Sequence, residues 1–334
     1  MAGKSPVAAV LLLAALTGCS QSNVERSAAE AGKAPLGIAQ AAGTTVASGF
    51  YVDPTSNPAL WAKNHPKDAR AIKIRQAISS KPIGHWFGNW SGNISTSVSS
   101  YVGAAYKAKK TPVLVAYNIP GRDCGGASSG GAGSPAAYRT WISKFAVAIG
   151  NRPAVVVIEP DAVAQLDCMP ASARTTRLAL LKYATQQFKA KATKTWAYLD
   201  GGNAKWVPAA TMAPRLNAAG IKNVRGFAVN VSNFYTTAQS VSYAKAVNAS
   251  LSAKYGFTRR FVVDTGRNGK GSKNGEWCNP AGRKLGTTPR TGGGADLLLW
   301  VKVPGDSDGP CGTGAGVPAG QFSPDLAIKL INGT

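Results

Sequence analysis

Short β-branched runs recur along the chain, each followed by a longer stretch with helical spacing, and this alternation constrains the fold more than any other feature. The runs cover residues 83–87, 113–119, 154–158, 195–199, 225–231, 261–263 and 297–303. Helical stretches fall between them at 135–149, 173–190, 209–219 and 241–255. A parallel neighbour needs a crossover, so strand–helix alternation implies an α/β fold whose parallel sheet is covered by helices. Roughly seven such units in one chain of 334 residues predict a distorted (β/α) TIM-like barrel rather than an open sheet. In a barrel, the active-site cleft lies at the C-terminal ends of the strands.

One domain accounts for the repeating part, expected over residues 49–334. Ahead of it, residues 19–48 are rich in Ala, Gly, Ser and Gln without a sustained helical face, and read as a flexible tether. Before that, Lys4 precedes an apolar stretch at 7–16, too short to cross a bilayer and typical of a signal segment, expected over 1–18. It ends in Leu16-Thr17-Gly18-Cys19, which resembles the lipobox of bacterial lipoproteins. That resemblance implies a lipid anchor to a membrane through Cys19, and an ordinary secretory signal is the alternative. Either way the protein is exported, as an envelope lipoprotein or in secreted form.

Export bears on the cysteines. Apart from Cys19, the chain has Cys124, Cys168, Cys278 and Cys311. An even number in an oxidising compartment suggests two disulfides, with three connectivities open. No CxxC spacing and only two histidines, His65 and His85, argue against a metal site, and no cofactor is expected.

Charge is lopsided, with 38 Lys and Arg against 15 Asp and Glu, a net charge of +23. Such an excess draws a protein toward anionic surfaces or simply solvates outer helix faces. No long basic run and no aromatic RNA-binding signature accompany it, so no nucleic-acid partner is expected, and the protein is expected to be a monomer.

The few acids are concentrated just after the strand runs. Asp123 follows 113–119, Glu159 and Asp161 follow 154–158, Asp200 ends 195–199, Asp264 ends 261–263, and Asp306 and Asp308 follow 297–303. A strand-end Asp often only caps the next helix. The whole set in so acid-poor a chain instead predicts a shared carboxylate-lined cleft. Both histidines lie upstream of these acids, which disfavours a histidine proton relay. Gly126-Ala127-Ser128-Ser129-Gly130 spells a nucleophile-elbow pattern, but it sits in a Gly/Ser loop with no histidine after it. No phosphate-binding loop is present. Paired carboxylates alongside eight tryptophans suit glycoside hydrolysis, in which one acid protonates the leaving oxygen and negative charge stabilises an oxocarbenium-like centre.

Several motifs together resemble glycoside hydrolase family 6. They are Tyr117-Asn118-Ile119-Pro120-Gly121-Arg122-Asp123-Cys124, Val157-Ile158-Glu159-Pro160-Asp161-Ala162-Val163-Ala164, Tyr198-Leu199-Asp200, Gly226-Phe227-Ala228-Val229-Asn230-Val231-Ser232-Asn233, Asp264-Thr265-Gly266-Arg267-Asn268-Gly269, Glu276-Trp277-Cys278-Asn279 and Trp300-Val301-Lys302. They span nearly the whole globular part. The resemblance implies inverting hydrolysis of β-1,4-glucan, with Asp161 as proton donor, Asp123 keeping that acid's pKa high, and Asp308 as the carboxylate proposed as base. It further implies Ser129 near the attacking water, Tyr117 beneath the distorted sugar, and substrate contacts from Trp86, Asp200, Trp206, Asn233, Trp277, Lys302 and Asp306. It pairs Cys124 with Cys168 and Cys278 with Cys311. Three positions depart from the family pattern: Asn203 where many members carry histidine, Asp306 where many carry Glu, and Gly121 where Asp is frequent.

The expected partner is therefore a β-1,4-glucan polysaccharide, cut internally in an open cleft, since few residues follow Lys302 to build a tunnel. Cellobiohydrolase-type exo action, hydrolysis of another envelope polysaccharide, and a non-catalytic glycan-binding lipoprotein are the rival readings.

Overall fold

The computed structural model describes residues 46–334. The expected signal segment, Cys19 and nearly all of the tether lie outside the described residues. Val46 is already buried, packed with the barrel-interior valines Val113 and Val115.

Among the described residues, eight strands form one sheet: β1 (His85–Phe87), β2 (Val113–Ala116), β3 (Ala154–Ile158), β4 (Thr195–Asp200), β5 (Gly226–Val229), β6 (Arg260–Asp264), β7 (Arg290–Thr291) and β8 (Leu297–Leu299). Their order is β1-β2-β3-β4-β5-β6-β8-β7. Every pair from β1 through β6 to β8 is parallel, and only β7 runs antiparallel, against β8. The sheet curls into a distorted half-barrel, the architecture the strand–helix alternation predicts.

The two-residue period of a strand sorts its side chains between two cores. Val113 and Val115 of β2 and Val155 and Val157 of β3 fill the barrel interior. Their neighbours Leu114, Ala116, Val156 and Ile158 face a larger layer beneath the helices. Buried on both faces, these strands are unbroken apolar runs.

The covering helices are α3 (Ile94–Lys107), α4 (Pro135–Ile149), α5 (Ala171–Lys191), α6 (Ala209–Ala218) and α7 (Thr237–Tyr255). Their ends follow local chemistry. Ser134 caps α4, whose first residue is Pro135, and Thr236 with Gln239 forms a capping box on α7, which ends at left-handed Gly256. α3 was not expected, because Ser, Thr and Gly lower its intrinsic helix preference. It is held by a buried stripe at Ile94, Val98, Tyr101, Val102 and Ala105.

The two sides of the barrel meet without a strand ladder. Gly84 N–H donates to Trp300 O at 2.8 Å and the Trp86 indole donates to Val301 O at 2.8 Å. A side chain at position 84 would stand 2.6 Å from Val301 O, so glycine permits this approach. Three further unexpected helices, α1 (Asn57–Asn64), α2 (Ala69–Ile74) and α8 (Pro324–Asn332), supply Ala62, Ile74 and Ala327 to a third core around Trp300.

Candidate active site

Strands β2 and β8 stop well short of the ends expected for them, and the reason is the acids. Glu159 accepts the backbone N–H groups of Asn118 and Ile119, each at 2.9 Å. Asp264 accepts those of Ser232, Gly266, Val301 and Lys302 at 2.9–3.2 Å. Asp200 accepts those of Asp161 and Gly202 at 3.0 Å. Carboxylates thus replace ladder carbonyls between adjacent strand ends. All three are essentially buried, at 0, 2 and 1% exposure. The strand-end acids therefore split into two groups, and Asp200, expected to touch substrate, belongs with the clamps. It sits beneath Asp161 and does not line the groove.

The second group opens into a groove. One cavity of about 480 Å³ is lined by Asp123, Asp161 and Asp308, with Trp86, Tyr117, Trp206, Asn233, Trp277 and Lys302. An adjoining cavity of about 550 Å³ is lined by Ser129 and Asp306 and shares Trp86, Tyr117, Ser128 and Lys302 with the first. Apart from Asp200, the expected catalytic and sugar-contacting residues come together around one continuous groove. Trp206 and Trp277 are 42 and 55% exposed, so their ring faces are open to solvent.

Asp161 stands on a turn that few residues adopt. Both Glu159 (φ 49°) and Asp161 (φ 69°) have left-handed backbone, uncommon outside glycine. Burial pushes the Asp161 carboxyl up to about 7, Asp123 and Asp308 add to the rise, and Lys302 opposes it. Asp123 is itself held by Ser128 N–H at 2.7 Å and by the Gln165 amide at 3.2 Å. The structure joins Cys124 to Cys168, which ties the Asp123 loop to the segment after Asp161, and Cys278 to Cys311.

Asp308 is the opposite case. Burial pushes it up, but Arg267 (2.7 Å) and Lys302 (3.5 Å) outweigh burial and hold it below the ordinary carboxylate range. Asn279 N–H completes the set at 3.1 Å. Asp306 is raised to about 7 by burial; Asn57 donates to one oxygen and the other has no partner among the described residues. Arg267, Gln165 and Asn279 were not anticipated as site residues. Arg267 and Asn279 do sit within the motifs quoted above, whereas Gln165 follows one by a single residue and carried no signal.

A proton-bearing carboxyl, a fixed carboxylate and exposed aromatic faces in one groove meet the requirements for cleaving a glycosidic bond. Comparison with known proteins agrees. Endoglucanase 1 of Streptomyces halstedii is 53% identical over 291 residues, 87% of this chain and 90% of that protein. Endoglucanase A of Thermobispora bispora is 44% identical over 85% of this chain, which spans 62% of that protein. A solved structure of the endoglucanase Cel6 from Mycobacterium tuberculosis, in complex with methyl-cellobiosyl-4-deoxy-4-thio-β-D-cellobioside, matches with a TM-score of 0.78 and 38% identity, covering 85% of this chain and 96% of that one. The family model for glycosyl hydrolases family 6 matches residues 45–333, nearly the whole described region, and the chain belongs to that family.

Proposed function

We propose that this chain hydrolyses internal β-1,4-glucosidic bonds of cellulose or a related β-glucan with inversion, using Asp161 as the general acid. The observation that carries the reading is the Asp161 carboxyl, raised to about 7 and opening into a groove lined by exposed tryptophans. At neutral pH a substantial fraction of such an acid still holds its proton. Asp161 gives that proton to the glycosidic oxygen as the bond to the anomeric carbon breaks, and the bonding pair leaves with the oxygen. Ionised Asp308, fixed by Arg267 and Lys302, supplies negative charge to the oxocarbenium-like centre. Water adds from the opposite face, and its proton ends on the Asp123 carboxylate, relayed by the Ser129 hydroxyl. Relatives bearing the name endoglucanase, and the open faces of Trp206 and Trp277, favour internal cleavage.

The test is hydrolysis of carboxymethylcellulose by wild type and Asp161→Asn, followed by polarimetry of the products. Loss of at least a thousandfold in kcat, with unchanged thermal unfolding, is expected. Near-wild-type turnover in the variant would remove Asp161 from this role, and retention of configuration would remove the inverting mechanism.

We also propose export with lipid anchoring at Cys19. Two disulfides support an oxidising destination. A Cys19→Ser variant is expected to leave the membrane fraction for the medium; unchanged membrane retention would overturn the anchor.

A further inference from the structure

The cavity holding Ser129 and Asp306 carries groups for which the proposed chemistry has no use. Trp90 lines it and is 54% exposed. Its ring is nonetheless fixed. The Arg122 guanidinium lies 5.0 Å over the Trp90 ring and 4.9 Å over that of Tyr117, stacking on both. Arg122 is buried and donates to Ser128 O, Ser129 O and the Asn89 side chain. At Gly88 a Cβ would fall 2.3 Å from an indole carbon, so only glycine lets this ring lie against the backbone. An aromatic side chain held in place this way and still 54% exposed offers its open surface as a stacking platform.

The same cavity is lined by His85 and Asp53. Asp53 is 4% exposed; one oxygen accepts from the Thr55 N–H and hydroxyl, and the other lies 3.1 Å from His85 Nδ1. Paired in this way, Nδ1 carries a hydrogen. The imidazole packs against Phe87 and Tyr101 with ring centroids 4.6 and 4.5 Å away. Nε2 makes no hydrogen bond among the described residues, so it is the ring atom left for a ligand. This cavity shares Trp86, Tyr117, Ser128 and Lys302 with the one holding Asp161, yet contains neither Asp161 nor Asp308. It therefore lies beyond Trp86 as seen from the proposed acid.

We propose that Trp90 and the His85–Asp53 pair form a further glucosyl-binding subsite, which takes an additional β-1,4-linked glucose unit of a longer chain. The apolar C–H face of the sugar lies on the indole, and a sugar hydroxyl donates to Nε2. This inference rests on the reading of the groove as a β-glucan site.

Calorimetric titration of the Asp161→Asn chain with the β-1,4-linked glucose tetramer and hexamer separates the two ideas, because binding needs no turnover. Adding Trp90→Ala is expected to cut the hexamer-over-tetramer affinity ratio about tenfold, His85→Ala to cut it several-fold, and Trp90→Phe to preserve most of it. An unchanged ratio in both Trp90→Ala and His85→Ala would overturn the subsite. Should Trp90→Ala fail to fold, an unchanged ratio in His85→Ala alone does so. If wild type binds both oligomers but releases no reducing ends, the hydrolase reading fails while the subsite is still judged on the ratio. Failure of every chain to bind either oligomer removes both.

Discussion

The carboxylate of Asp200 accepts the backbone N–H of Asp161 at 3.0 Å, so one buried acid sets the position of another. Burial, and then the charge of Asp161, push Asp200 well above the ordinary carboxylate range. One of its oxygens has no partner among the described residues. The N–H groups of Asp161 and Gly202 both go to the other oxygen, so the clamping role needs a single acceptor oxygen. Asp200→Asn keeps that oxygen and is expected to unfold in urea within about 1 kcal/mol of wild type. Asp200→Ala strands the N–H groups of Asp161 and Gly202, at a cost of about 1–3 kcal/mol each, and lowers kcat with it. Equal stability and turnover in the two variants would show that the clamp does not matter.

With Asp161 at about 7, kcat/KM is expected to fall as pH rises through that value, because the acid loses its proton. The stability contribution has the same sign. The folded-state pKa lies above the unfolded value of about 3.9, so the folded chain binds this proton more tightly, and stability from this group declines from about pH 4 to about pH 7. Burial is the larger cause and Asp123 the next. Asp123→Asn should therefore move the alkaline limb of residual activity to lower pH without restoring an ordinary carboxylate value. A limb that stays in place would separate Asp123 from the acid's titration.

The barrel was legible because its signal is local: each strand is an apolar run, and apolar runs betray themselves in sequence. The ends of β2 and β8 were not, since Glu159 and Asp264 end the ladders by capturing backbone from neighbouring strands. For the same reason Asp161 and Asp200 look alike in sequence, both standing at strand ends. Which of them faces the groove depends on the left-handed turn at 159–161. The helices α1, α2 and α8 were missed because they serve the seam around Trp300, where the alternation has no repeat to follow.

Cys124 and Cys168 close a span of 44 residues that begins beside Asp123. Replacing both by Ser is expected to lower stability by about 4 kcal/mol on a chain-entropy basis. Turnover should fall further than global unfolding explains, because Asp123 and Cys124 both hold left-handed backbone (φ 58° and 47°) in the tethered loop. Chemical denaturation alongside kcat at a temperature where the variant is fully folded checks this. Unaltered kcat there would assign the bridge to stability alone.

Arg267 and Asp308 form an ion pair at 2.7 Å with side chains only 4 and 6% exposed. Removing the cation leaves a buried carboxylate with Lys302 as its remaining charged partner, so Arg267→Met is expected to cost about 3–5 kcal/mol at pH 6. Because Arg267 and Lys302 depress the pKa of Asp308, the stabilisation is present above the unfolded value of about 3.9 and is lost as pH falls through the lower folded value. The gap between wild type and Arg267→Met should accordingly shrink in acid. Arg267→Met combined with Asp308→Leu should recover part of the loss, since no unpaired charge remains buried. A gap that is independent of pH, with no recovery in the double variant, would mean that Arg267 acts through packing on Phe234, 4.3 Å from its guanidinium carbon, rather than through the carboxylate.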